Sequence, residues 1–149
     1  MDRNIWDFQR DMTNRLFSIN VVNLWLGKQL ARYGEFWRGI GAQAIGWAFI
    51  NIIIAVVGGR QARKKFDELA DPNDDDIQIR EGRRLQRILA INAPLNLVYM
   101  WGGYRLVRRH KDRVFMRGNG WGIVLQGVIL LCFDTFHLRR ITRILRSRR

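Results

Sequence analysis

The chain has a single cysteine, Cys132, so no disulfide can form within it. Cys132 lies in an apolar stretch and reads as a packing residue. There are only two histidines, and His110 falls in a loop on the opposite side from His137. A metal centre needs three or four ligands, so no metal and no cofactor is expected, although Asp134 and His137 have i,i+3 spacing. No nucleophile stands beside a base, and no second carboxylate shares the apolar setting of Asp134, so an enzyme is not expected. The glycines at 118, 120 and 122 precede a helix, but no strand precedes them. Close helix packing explains them better than nucleotide binding. The first fifteen or so residues carry three acids and no apolar core, so no signal peptide is read there. The run DPNDDD resembles the start of a calcium loop, with Asp71, Asn73 and Asp75 alternating. It then puts Asp76 where glycine is required and Gly82 where a bidentate glutamate is required, so it reads as a solvated turn.

What the chain has is charge gathered into clusters between long uncharged runs. A soluble helix would show charge on its outer face every few residues. The net charge of +13 could suit nucleic acid, but the basic residues flank the apolar runs, where anionic headgroups attract them. The expected partners are therefore a lipid bilayer with anionic headgroups and a protein partner or second copy, not nucleic acid.

Four spans are expected, at about residues 12–31, 40–59, 88–104 and 118–138, in one domain of 149 residues. The first is the weakest. Its uncharged part, 16–27, covers only about 18 Å as a helix, so spanning requires Arg15 and Lys28 to snorkel. Residues 1–15 put Ile5, Phe8 and Met12 on one helical face, which suggests an interfacial helix; a frayed terminus is the alternative. Residues 60–87 read as a polar hairpin tip. There Arg63–Asp67 and Lys64–Glu68 carry the second helix past the membrane, Pro72 breaks it, and Asp75 with Gln78 caps the next helix. In the third span Pro94 frees the Ala90 carbonyl, which Asn20 or Asn51 could satisfy. The basic tail, 139–149, is amphipathic and is expected on the headgroups.

The termini and the hairpin tip hold 17 of the Lys and Arg residues against 9 in the other two loops. This puts both termini in the cytoplasm of a multi-pass inner (cytoplasmic) membrane protein. Trp25, Trp37, Trp101 and Trp121 fall at the outer ends as an aromatic belt. The six basic residues of 105–117 are the one discordant feature.

Each span carries a stripe of small or amide residues. Gly39, Gly46, Gly118 and Gly122 are read as helix-packing positions, Gly46 through its spacing from Ala42. Asp134, the one charged residue inside an apolar run, and His137 join Asn20, Asn51, Asn92, Asn96, Gln126 and Gln43 as the candidate intramembrane polar cluster. Two layers are expected. Asp134, Asn92, Asn20 and Asn51 form the inner one, and Gln126, Asn96, Asn23 and Gln43 or Trp47 the outer. Asp134 is either a titrating group in a cavity open to the cytoplasm or an anchor paired with arginine, and its depth favours the anchor.

The two halves look related. FWRGIG at 36–41 matches FMRGNG at 115–120, and SIN at 18–20 matches AIN at 90–92. Setting Gly39 on Gly118 puts Gln43 on Gly122, Trp47 on Gln126 and Ala55 on Asp134. The fold expected is all-α, a polytopic transmembrane four-helix bundle, made of two related hairpins if that similarity is real.

The run RGNGWGIVLQGVILLCFDTFH resembles the C-terminal span of a family of uncharacterised small bacterial integral membrane proteins. The shared pattern is RGxGxG, then QG, then FDxxH, carried here by Arg117, Gly118, Gly120, Gly122, Gln126, Gly127, Phe133, Asp134 and His137. GAQAIGWAFINIIIA and RRILAINAPLN resemble the same family's second and third spans. The resemblance implies four spans and a bacterial membrane, and no activity. A structural or accessory interaction protein is the function expected; the alternative is a small oligomeric transporter or channel using the polar layer around Asp134.

Overall fold

A computed structural model describes residues 4–148; residues 1–3 of the amphipathic opening segment and Arg149 of the basic tail lie outside the described residues. The chain forms four helices: α1 (Ile5–Leu30), α2 (Glu35–Glu68), α3 (Asp75–Arg109) and α4 (Val114–Arg146). No strand is present among the described residues. Most are longer than a bilayer requires: α2, α3 and α4 have 34, 35 and 33 residues, or roughly 50 Å each at 1.5 Å per residue. The expected hairpin tip is thus mainly helix, and only the turn at 69–74 is irregular.

Local chemistry sets the ends. The Asn4 side chain accepts from the Trp6 N–H (3.0 Å) and starts α1. At α3 the cap is Asp74, accepting from the Ile77 N–H at 3.1 Å, one residue before the expected Asp75. Gln78 does not complete a capping box. Its Oε1 accepts from the Ile5 N–H and its Nε2 donates to the Asn73 carbonyl, tying α1 to the turn. Pro72 serves the same end, its carbonyl accepting from Trp6 Nε1 at 2.7 Å. Asp71 accepts from the Asn73 N–H within the turn. α3 continues through Pro94. Asn20 and Asn51 bond each other rather than the Ala90 carbonyl.

α1 lies along α2, α3 lies along α4, and the two hairpins meet through α2 and α4. That meeting is backbone on backbone. A Cβ on Gly39 would strike the Phe115 carbonyl, and one on Gly118 would strike the Phe36 carbonyl. Phe36 and Phe115 are themselves equivalent in the register that sets Gly39 on Gly118, so the contact is reciprocal, as a two-fold axis requires. Within the hairpins, Gly27 approaches Gly41 and Ala44, while Gly103 approaches Gly120 and Ile123. These are the same positions in that register. They set Gly27 on Gly103, which places Asn20 on Asn96. The match of SIN to AIN is therefore one helical turn out of register. Gly46 is a correction. It is exposed with nothing within 4 Å of an added Cβ, because it and Ala42 lie on the outward face of α2.

Burial divides the molecule into two regimes. The end with the 69–74 turn and both chain ends is termed the near end; the end with the two short loops, 31–34 and 110–113, is the far end. At the near end Ile5, Phe8, Leu85, Leu89, Ile141 and Leu145 form a buried apolar core, with Met12 and Leu138 against it. The Ile5–Phe8–Met12 face is the one read from sequence, but it packs on α3 and α4 instead of lying on headgroups. The same holds for the tail, which continues α4 to Arg146 with Ile141 and Leu145 turned inward. Three amphipathic faces find one another, and ion pairs Lys65–Glu81, Arg140–Asp11 (3.5 Å) and Arg148–Asp75 (2.7 Å) close the margins. Lys64–Glu68 also forms, at 3.7 Å.

Beyond about residues 16, 58, 88 and 137 the pattern inverts. Apart from Ile40, the buried side chains become small or polar: Asn20, Ala44, Ala48, Asn51, Ala55, Asn96, Gln126 and Asp134. Val22, Trp25, Phe49, Ile53, Ile91, Val98 and Trp101 are each more than half exposed. By length and composition, α2 and α4 hold 18-residue windows apolar enough to cross a membrane, with mean hydropathy 2.0 and 1.6. α1 and α3 fall short of that mark among the described residues. Their apolar runs are shorter and carry two asparagines each.

Candidate functional site

The polar residues of the inverted region do not form one cluster in two layers. They form separate rungs, each joining two helices. Nearest the far end, Gln43 Nε2 on α2 donates to Asn119 Oδ1 on α4 at 2.9 Å. Next, Asn23 and Gln126 exchange two hydrogen bonds between α1 and α4, at 2.8 and 3.2 Å. Asn51 Nδ2 on α2 then donates to Asn20 Oδ1 on α1 at 3.2 Å, while Asn20 Nδ2 donates to the Leu16 carbonyl. Closest to the near end, Asn96 Nδ2 on α3 donates to Asp134 Oδ2 on α4 at 2.7 Å. Each rung gives partners to amides that are buried or half-buried in an apolar setting.

Asn23–Gln126 and Asn20–Asn51 join residues expected in the same layer. Asn96 was expected in the outer layer and instead meets Asp134, because α3 sits one turn out from the sequence match. Asn92 was expected beside Asp134; it is half-buried and bonds none of the cluster. Asn119 joins the rungs without being a candidate from the sequence; its one signal is its place in the RGNG run that opens α4. The two-fold relation extends to the rungs. Tyr99 and Trp47 are the equivalents of Asn23 and Gln126, and their rings meet edge to face at 5.2 Å. One half of the molecule closes this diagonal with amides and the other with aromatic rings.

Asp134 makes no ion pair among the described residues, so the arginine anchor is not what holds it. Its recorded side-chain partner is Asn96. Arg15 and Arg140 lie over the rings of Phe136 and Phe8, at 5.9 and 5.5 Å. His137 is fully enclosed. Its Nδ1 donates to the Phe133 carbonyl at 2.8 Å, and its Nε2 is buried with no hydrogen-bond partner among the described residues. The rings of Phe133, Phe136 and Phe8 surround the imidazole at 4.1, 5.1 and 6.0 Å. His137 therefore joins the inverted region to the near-end core through Phe8.

This arrangement can hold helices in register, and the chemistry of Asp134 can be separated from its bonding. Asp134→Asn keeps an acceptor for Asn96 and should leave thermal stability in detergent unchanged. Asp134→Leu strands a buried amide and should cost about 1–3 kcal/mol. Equal losses in the two variants would mean the charge itself is structural.

Residues 15–135 contain every rung, while His137 and the core residues Ile5, Phe8, Ile141 and Leu145 lie outside that segment. Neither a curated protein nor a solved structure matches the chain. Residues 15–135 match a family of unknown function, DUF6992, and the chain belongs to that family.

Proposed function

We infer that the protein is a four-span integral membrane protein of a bacterial inner membrane, with both termini and the near-end core in the cytoplasm, acting as a structural or accessory interaction protein. The inversion of burial carries this reading. Amides, glycines and alanines inside with Ile, Val, Phe and Trp outside would be costly in water, where large exposed apolar surfaces associate. In lipid it is the stable arrangement, since small residues permit close approach and buried amides must pair. The near-end core has the ordinary sense of a soluble helical unit. Trp25, Trp37, Trp101 and Trp121 are all exposed toward the far end, which fits an interfacial belt.

The alternative, a small oligomeric transporter or channel, draws on the polar layer around Asp134. The paired rungs and the glycine contacts fill the interior along which a solute would pass. The membrane reading is tested by alkaline extraction of membranes and by labelling Cys132→Ser chains that carry Asn73→Cys or Asp112→Cys. The expected result is retention in the membrane pellet, with the Asp112→Cys chain labelled from outside and the Asn73→Cys chain only after permeabilisation. Release by alkali, or the reverse labelling, would sink it.

A further inference from the structure

The two-fold relation breaks at one place. In the register that sets Gly39 on Gly118, Asp134 and His137 of α4 correspond to Ala55 and Gly58 of α2. Where α4 fills its angle with a carboxylate and an imidazole, α2 leaves a groove of about 780 Å³ against the first half of α1. Small residues keep it open: Ala55 and Gly59 line it, and a Cβ on Gly59 would meet only Thr13, at 3.7 Å. Phe17, Ala55 and Val56 line its apolar part, and Arg10, Arg60 and Arg63 line its polar part.

The groove lies where the inverted region gives way to the near-end core. Its apolar part continues along α1 toward the exposed Val21, four residues beyond Phe17 on the same helical face. Arg10 is engaged by Asp7 at 2.9 Å, and Asp67 also lies on the wall. Arg60 and Arg63 make no ion pair among the described residues. Two guanidinium groups at the edge of an apolar floor suit a phosphate ester carrying a hydrocarbon chain. A soluble phosphate would leave Phe17 and Val56 against water.

We propose that this groove holds one anionic phospholipid of the inner leaflet, its phosphate between Arg60 and Arg63 and an acyl chain along Phe17, Ala55 and Val56. The site rests on the membrane reading given above. The test is native mass spectrometry of the full chain in mild detergent with added phosphatidylglycerol. One lipid should stay bound under activation that strips the rest. The double substitution Arg60→Gln with Arg63→Gln should reduce its retention roughly thirtyfold, two basic contacts being lost. Gly59→Phe should abolish retention by filling the groove, with thermal stability unchanged. No retained lipid, equal retention in both variants, or displacement by inorganic phosphate would overturn the proposal. A chain that pellets with membranes after alkali yet retains no lipid loses only the groove; one released by alkali loses the membrane reading itself.

Discussion

Gly118→Ala should destabilise the bundle by about 3 kcal/mol or more, an overpacking cost at the upper end of the usual range. The added methyl group would strike the Phe36 carbonyl and lie 3.2 Å from the Gly39 Cα. Both obstacles are backbone, so no side chain can swing aside, and relief requires α2 and α4 to separate. Because α2–α4 is the main contact between the hairpins, that separation would also loosen the Asn23–Gln126 and Gln43–Asn119 rungs beside it. Gly46→Ala is the matched control: it is exposed, meets nothing, and should raise helix stability by roughly 0.5–1 kcal/mol. Thermal unfolding in one detergent compares the two directly. A Gly118→Ala protein as stable as the parent would mean that the hairpins do not meet through these glycines.

Phe8→Ala should cost about 3–5 kcal/mol, the range for deleting a fully buried aromatic ring. The ring has no exposure, faces His137 at 6.0 Å and belongs to the core with Ile141 and Leu145. Ile141→Ala should cost about 2–5 kcal/mol for the same reason. Phe49→Ala, at a ring 56% exposed on α2, should change stability little. The comparison separates two roles for the amphipathic segment at 5–12. On a membrane surface, Phe8→Ala would weaken lipid binding and leave the unfolding temperature alone. In a helical core, it lowers the unfolding temperature and opens residues 5–12 to hydrogen exchange. An unchanged unfolding temperature would place the segment outside the core.

These two experiments probe parts of the structure that were unequally legible. The register of α2 on α4 could be read from FWRGIG and FMRGNG, because both runs carry the residues that make the reciprocal contact. The register of α1 on α3 could not. SIN and AIN look alike, but the structural equivalence follows Gly27 and Gly103, where the backbones touch. That difference of one turn moved Asn96 onto Asp134 and left Asn92 aside. Gly46 misled for a related reason: spacing shows that it shares a face with Ala42, not which way the face points.

By itself the sequence determined the all-helical class, the number of helices, the turn after Glu68 and which residues are polar within the apolar runs. These follow from local quantities: periodicity, run length, capping and the conformational limits of proline and glycine. Only the tertiary structure decided which amide bonds which, that the faces of Ile5, Leu85 and Ile141 meet one another, and that Ala55 and Gly59 leave a groove. An apolar helical face carries the same pattern whether it is to meet lipid or another helix. The choice between them depends on how the helices are offset, and those offsets are set where backbones come into contact, at Gly39 and Gly118 between the hairpins and at Gly27 and Gly103 within them.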